Sequence, residues 1–303
     1  MDKFKLWLSA FRLRTLPLSV SGIIVSSCFA FYDGIFKWSI FILALLATIS
    51  LQILSNIAND YGDGVKGTDN NNRIGPERAI QSGKITPSEM YTAIKLNVLV
   101  VIMFVFFLIY AAFGSHNFVY SILFITLGAI SISAAIKYTV GKSAYGYRAL
   151  GDIMVFLFFG LLSVFGTYFL YAKDLSTVLI LPASIIGILS AGVLHLNNMR
   201  DIVSDKASNK TTVAILLGFK NAKRYHVLMI AIAIVLTISF CLLFYRSWAN
   251  LLPLVMLIPL IKHIIFVANT EEPVKLDSQL KIVALATFFL SILMGLGFVI
   301  NGL

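Results

Sequence analysis

Asn56-Ile57-Ala58-Asn59-Asp60-Tyr61-Gly62-Asp63-Gly64-Val65-Lys66-Gly67-Thr68-Asp69 is an acidic, glycine-punctuated stretch that closes an apolar run beginning at Trp38. A run of about 20 apolar residues is the length needed to cross a hydrocarbon layer, so the acids stand at the end of a membrane span. The pattern recurs at residues 178–196, which lead into Asn197-Asn198-Met199-Arg200-Asp201-Ile202-Val203-Ser204-Asp205-Lys206. Only 14 of 303 residues are acidic. Five of them, Asp60, Asp63, Asp69, Asp201 and Asp205, fall in these two stretches, so their placement carries information.

Working outward, the whole chain has the same character. It is 59% hydrophobic and 13% charged, with a mean hydropathy of +0.90; soluble domains carry about 25% charged residues. The sequence predicts an all-α, polytopic membrane bundle over residues 1–303 with no room for a separate extramembrane domain. Nine spans are expected, at 16–32, 38–58, 91–113, 118–137, 150–172, 178–196, 226–245, 249–268 and 281–301. Short connections such as Tyr32-Asp33-Gly34 and Gly114-Ser115-His116-Asn117 favour antiparallel neighbours. Residues 1–15, with Phe4, Trp7, Leu8 and Phe11 at near-helical spacing, read as an amphipathic segment lying in the interface of the lipid bilayer.

The net charge of +10 is not a nucleic-acid signature, because the Lys and Arg residues are dispersed among short loops. With nine spans, the N-terminus, loops 59–90, 137–149, 197–225 and 262–281, and Lys95 carry 21 of the 24; only Lys37, Lys173 and Arg246 lie on the other side. By the positive-inside rule the crowded side is cytoplasmic, in a cell (inner) membrane, and both acidic stretches lie there. Cys28 and Cys241 sit in apolar runs and read as packing residues. The four histidines, His116, His195, His226 and His263, lack metal-ligand spacing and read as interfacial or packing groups.

Asp201 and Asp205 are one helical turn apart and Asp60 and Asp63 nearly so, and like charges at that spacing repel unless a cation or a basic group sits between them. An all-oxygen set suits Mg²⁺, which commonly takes one or two carboxylates together with phosphate oxygens of a substrate. Basic residues suited to a diphosphate flank both sites: Arg73, Arg78 and Lys84 after the first, Arg200, Lys206 and Lys210 around the second. Gly62, Gly64 and Gly67 are placed for close backbone approach or positive φ. A pair of acids on a solvated helix face is the plain alternative for either site alone. Two such sites on one side of an apolar bundle argue for function.

The first stretch resembles the Asn-Asp-x-x-Asp signature, and the second the Asp-x-x-x-Asp signature, of the UbiA superfamily of intramembrane aromatic prenyltransferases. The resemblance extends to Arg12-Leu13-Arg14-Thr15-Leu16-Pro17, to Arg73-Ile74-Gly75-Pro76-Glu77-Arg78, to Tyr145-Gly146-Tyr147-Arg148-Ala149-Leu150-Gly151-Asp152, and to Lys210-Thr211-Thr212. Many members carry a third Asp where this chain has Gly67, with Asp69 two residues on. That wording resembles the branch whose acceptor is 1,4-dihydroxy-2-naphthoate.

The resemblance implies a nine-helix bundle around a central cavity and transfer of a polyprenyl group from a polyprenyl diphosphate to the ring carbon bearing the acceptor's carboxylate, with loss of carbon dioxide. It implies Asn59, Asp60, Asp63, Asp201 and Asp205 as organisers of Mg²⁺, and Arg73, Arg78, Lys84, Arg200, Lys206 and Lys210 as holders of diphosphate. Asn198, Asp69, Lys137, Tyr138, Tyr147 and Arg148 are further candidates at the cavity mouth. Arg12 and Arg14 fit either a substrate anion or the lipid surface. Two other readings stay open: a prenyltransferase for another acceptor, such as 4-hydroxybenzoate or haem, and a transporter, which predicts acids buried mid-span in broken helices.

Overall fold

The computed structural model describes residues 3–68 and 78–302. Asp69 and Arg73 lie outside the described residues, as does most of the Arg73–Arg78 motif. Among the described residues nine helical segments are long and apolar enough to cross a membrane, in agreement with the expected spans.

After a short helix α1 (Lys3–Phe11), the chain turns at Arg12 in a left-handed conformation, φ 49°, and enters α2 (Leu16–Tyr32) with a proline in its first turn. The next spans are α3 (Trp38–Val65), α4 (Pro87–Phe113) and α5 (Phe118–Lys137). The fifth span is composite: α6 (Gly151–Val155), a π-helical stretch Phe156–Gly166, and α7 (Thr167–Ala172). It is followed by α8 (Ile180–Arg200), a short α9 (Ile202–Ala207), and α10 (Val213–Leu243), which bends at Gly218. A 3₁₀ turn, Trp248–Met256, leads into α11 (Leu257–Asn269), and α12 (Asp277–Gly302) ends the chain.

Neighbouring spans pack in sequence, α3 on α4, α4 on α5 and α8 on α10, and the ring closes where α12 lies along α2. Two of the observed starts and ends differ instructively from expectation. Span three begins at Pro87 rather than 91, because Thr86 and Glu89 form a reciprocal cap in which each side chain satisfies the other's backbone amide. Span two continues to Val65, so Asn59 to Val65 are not loop: Asp60 and Asp63 ride on the last turns of a membrane helix.

Lipid-facing positions are large and apolar, as on α4 (Leu96, Leu99, Phe106, Tyr110), whereas contacts between helices use small residues. One such contact, backbone against backbone, is between the fifth span and α8. A Cβ on Gly160 would lie 2.6 Å from the Ala183 carbonyl oxygen and from Gly187 Cα. The widened π turn exposes the Val164 carbonyl, and Ser26 Oγ donates to it at 2.7 Å across from α2. Cys28 and Cys241 are free thiols packed within the bundle.

Candidate functional site

Among the described residues, the segments that follow α3, α5 and α9 come together beside the ends of α3 and α8. Asp60 is buried, and its Oδ1 accepts from Arg12 Nη2 at 2.6 Å and from Arg78 Nη1 at 2.9 Å. The turn at Arg12 delivers its guanidinium there, and Asn56 Nδ2 fixes the turn by donating to the last carbonyl of α1, Phe11 O, at 2.9 Å. Leu8, Ser9, Arg12, Leu13, Arg14, Asp60 and Arg78 line a cavity of about 240 Å³ beside this cluster. α1 packs Leu6 and Ala10 against the bundle and leaves Phe4 and Leu8 exposed, as an interfacial segment would.

Asp63, one turn on, has different company. Its Oδ1 accepts from the Tyr147 hydroxyl at 2.7 Å, and that hydroxyl also lies 2.7 Å from Thr68 Oγ1. Burial and the Asp63 charge push the Tyr147 phenol well above its ordinary range, so it acts as a hydrogen-bond donor. Lys66 Nζ sits 4.0 Å from the centre of the Tyr147 ring and donates to Thr139 O at 2.6 Å.

At the second stretch the helix is interrupted at Asp201 but keeps its hydrogen-bonding pattern, with Asp205 N donating to Asp201 O at 2.9 Å. The two acids therefore remain one turn apart, as the spacing predicts. Arg200 Nε and Nη2 bind the two oxygens of Asp201 at 2.8 and 2.6 Å, while Nη1 reaches Asp277 on α12 and Nη2 reaches Asn197. Asp205 Oδ1 accepts from Lys210 Nζ at 3.3 Å, and its Oδ2 is buried without a partner. Burial, with the Asp201 and Asp63 charges, raises the Asp205 carboxyl above the ordinary range against the opposing pull of Lys210. Lys210 is itself raised, since Asp205 and Asp63 outweigh its burial.

Lys210 joins the halves: its Nζ lies 5.8 Å from the Tyr147 ring centre. A short backbone bridge between Arg148 and Thr211, with Ala149 N donating to Thr211 O at 2.9 Å, ties the two loops beside it. Tyr138, half-buried below this junction, is pushed up to about 12 by burial, with Lys210, Asp63, Asp152 and Asp205 all acting on it.

The structure thus divides the expected metal set. Among the described residues no three acid, histidine or cysteine side chains gather as a metal site by themselves. Arginines neutralise Asp60 and Asp201 separately, while Lys210 acts on both Asp63 and Asp205. The donor chemistry nonetheless fits a hard cation. Asp63 and Asp205 each have one oxygen on a displaceable partner, Asp205 Oδ2 is orphaned, and Asn198 Oδ1 is buried and unpartnered one turn before Asp201. Asn59 Oδ1 accepts from Thr139 Oγ1 at 3.3 Å.

Of the basic candidates, Arg78 and Lys210 stand on carboxylates of the site. Arg14 lines the adjoining cavity, and Lys84, Lys137, Arg148 and Lys206 lie exposed at the rim. Arg200 departs from its expected role as a diphosphate donor: it is 1% exposed, and its guanidinium is taken up by protein oxygens, so it positions Asp201. Gly62 also departs. It serves packing, since a Cβ there would lie 2.5 Å from Thr139 Oγ1, while Gly67 does take a positive φ of 72°.

Sequence reasoning passed over Lys66, a lone cation inside the acidic stretch, and Asp277, the sole acid in the first turn of α12. Of the two roles expected for the histidines, His195, His226 and His263 take the packing one: all are buried, and they lie against one another. His195 Nδ1 is 3.0 Å from Asp152 Oδ2, His226 Nε2 is 2.7 Å from His263 Nε2, and His263 Nδ1 is 2.9 Å from Gln279 Oε1. Sequence spacing could not reveal a cluster drawn from five separate segments.

A model of the UbiA prenyltransferase family matches residues 19–293. The chain is 38% identical over 302 residues to a 1,4-dihydroxy-2-naphthoate octaprenyltransferase of Haemophilus influenzae, covering 99% of this chain and 97% of that one. It is 41% identical over 281 residues to the enzyme of the same name from Escherichia coli, covering 93% and 91%. Among solved structures it is similar to a UbiA homologue from Aeropyrum pernix, with TM-score 0.69 at 16% identity, covering 96% of this chain and 99% of that one. It also matches a UbiA homologue from Archaeoglobus fulgidus bound to GPP and Mg²⁺, with TM-score 0.56 at 15% identity, covering 93% and 99%.

Proposed function

The chain belongs to the UbiA prenyltransferase family, and from that membership we propose that it transfers a polyprenyl group from polyprenyl diphosphate to 1,4-dihydroxy-2-naphthoate, with decarboxylation, in menaquinone biosynthesis. The observation that carries this reading is the near full-length identity to two enzymes of that name, joined to a mouth in which Asp63, Asp205 and Lys210 converge through Tyr147. The placement of both acid pairs at helix ends, beside cations, favours a phosphate-handling enzyme over a transporter with mid-span acids.

Mg²⁺ would be held by Asp63 and Asp205, with Asn59 and Asn198 as neutral oxygen donors, and would offset charge on the diphosphate. Asp60 and Asp201 complete the acidic frame and are oriented by Arg12, Arg78 and Arg200. Lys210, already seated on Asp205, is placed to follow a diphosphate oxygen as negative charge grows there. Lys84 and Lys206 are rim donors in this reading, Arg73 and Asp69 being proposed from the sequence resemblance alone, and the cavity of Arg12, Arg14 and Arg78 suits an anionic substrate group. The crowded basic end faces the cytoplasm of a cell membrane, by the positive-inside rule.

The bond changes balance without a base. The donor C1–O bond breaks and its electron pair leaves with diphosphate. The acceptor ring carbon bonds to C1, and the ring carbon–carboxylate bond then breaks, its pair restoring the aromatic ring as carbon dioxide departs. Because carbon dioxide leaves in place of a proton, the buried Asp152–His195 pair has no required part in proton removal. The protein's contribution is orientation, charge stabilisation and exclusion of water from an allylic cation.

The test is to incubate purified protein with Mg²⁺, a polyprenyl diphosphate and either the naphthoate or 4-hydroxybenzoate, and to weigh the products by mass spectrometry. Prenylated, decarboxylated naphthoate is expected. Product from 4-hydroxybenzoate alone would refute the acceptor assignment.

A further inference from the structure

Lys66 stands out as a cation without an ion-pair partner among the described residues, the Asp63 charge acting on it only from a distance. Among the described residues no carboxylate lies within ion-pair distance of its Nζ, which rests on the Thr139 carbonyl at 2.6 Å and over the Tyr147 ring at 4.0 Å. The same ring has a second ammonium, Lys210, 5.8 Å from its centre. Two like charges facing one aromatic ring repel, and Lys210 acts on Lys66 in that sense while the Asp63 charge, three residues back, partly offsets it. Lys210 is compensated by Asp205. Lys66 is exposed at the rim, on the first turn past α3, three residues from Asp63.

The arrangement is held, not incidental. Thr139, whose carbonyl fixes Lys66, is itself buried and pinned to α3 by a hydrogen bond to Ala58 O at 3.1 Å. Tyr147 is pinned by Asp63 and Thr68. A cation whose direct contacts are all neutral, beside a second cation, is a binding point for a polyanion entering between them.

We propose that Lys66 is a diphosphate-binding residue, acting with Lys210 across the Tyr147 ring to hold the prenyl donor's leaving group. The inference rests on the reading of the chain as a prenyl-diphosphate transferase and deepens it. Diphosphate is favoured over the acceptor's carboxylate on two grounds. A multiply charged anion gains from two ammoniums where a single carboxylate gains little beyond one. An ammonium clamped on the carboxylate would stabilise the ground state against carbon dioxide loss, whereas one clamped on diphosphate is strengthened as the C1–O bond breaks.

The test begins with the unmodified full-length protein in lipid nanodiscs. Its lysines are acetylated briefly with and without Mg²⁺ and inorganic diphosphate, and the extent at each lysine is read by mass spectrometry. Lys66 is expected to be protected about tenfold by diphosphate, with Lys275, exposed on another segment, unchanged. Equal labelling of Lys66 in both states, or equal protection by sulphate, overturns the proposal.

Lys66→Met and Lys66→Arg then separate the substrates. Lys66→Met should raise both the donor KM and the inhibition constant of inorganic diphosphate about tenfold or more. Its acceptor KM should change less than about twofold, and Lys66→Arg should recover most of the loss. A rise confined to the acceptor KM would assign Lys66 to the carboxylate and overturn the proposal. Should Lys66→Met fail to fold, the labelling decides alone. Because protection needs no aromatic acceptor, a wrong acceptor assignment leaves this test standing.

Discussion

The two halves of the mouth solve the same problem with opposite mechanics. Each carries two buried acids, one held by arginine and one facing the junction: Asp60 and Asp63 on α3, Asp201 and Asp205 at the α8–α9 break. At the second half the clamp is internal, Arg200 being immobilised by Asn197, Asp201 and Asp277 across to α12. At the first half it is assembled from outside, by Arg12 from the N-terminal turn and Arg78 from the loop before α4, beside a cavity. One half is clamped within a single bundle of helix ends; the other is held by two arginines from separate segments of the chain.

The largest effect should separate the junction acids from everything else. Asp63→Ala or Asp205→Ala is expected to lower kcat by about a thousandfold or more while the protein still inserts and elutes as folded, measured by product formation at saturating substrates. Near-normal turnover would remove either acid from the metal-holding role. Next comes stability. Arg200→Met leaves Asp201 buried and unpaired and should lose about 3–5 kcal/mol. Arg12→Met leaves Asp60 still paired with Arg78 and should lose about 1–2 kcal/mol. Thermal unfolding of the two variants side by side checks the contrast between internal and assembled clamps, and equal losses would erase it.

Smaller effects probe the junction. Tyr147→Phe keeps the ring beneath Lys66 and removes the hydroxyl from Asp63, so donor KM should shift by about three- to tenfold. Last is a pH effect. Burial, with help from Lys210 and against Asp63, lowers the Lys66 ammonium below the usual lysine range. As pH rises, Lys66 therefore loses its proton before ordinary lysines do. At pH 9 it should acetylate faster than Lys275, and diphosphate affinity should begin to fall on that same alkaline limb.

The fold was legible because membrane length, loop charge and turn chemistry all act locally. The nine runs and the pairing of Asp201 with Asp205 need nothing beyond spacing. The end of α3 was not legible, since Gly62 and Gly64 read as loop punctuation until Thr139 and Ile80 are seen packed against them. Nor was the allotment of cations: Arg200 and Lys210 look alike in sequence, but Asp277, 77 residues away, turns the first into a strut. The histidine cluster was hidden for the same reason, being a product of which helices neighbour which.

The contact of Gly160 with Gly187 has a mechanical consequence. Gly187 lies 14 residues before Asp201, about 21 Å along the α8 axis at 1.5 Å per residue. That length is a lever arm with its fulcrum at two hydrogen-sized side chains. A wedge there that tilted α8 by about 10° would swing the far acids by about 3–4 Å, more than a hydrogen-bond length. The aim of the catalytic mouth is therefore set from the middle of the membrane, by residues that touch none of its chemistry.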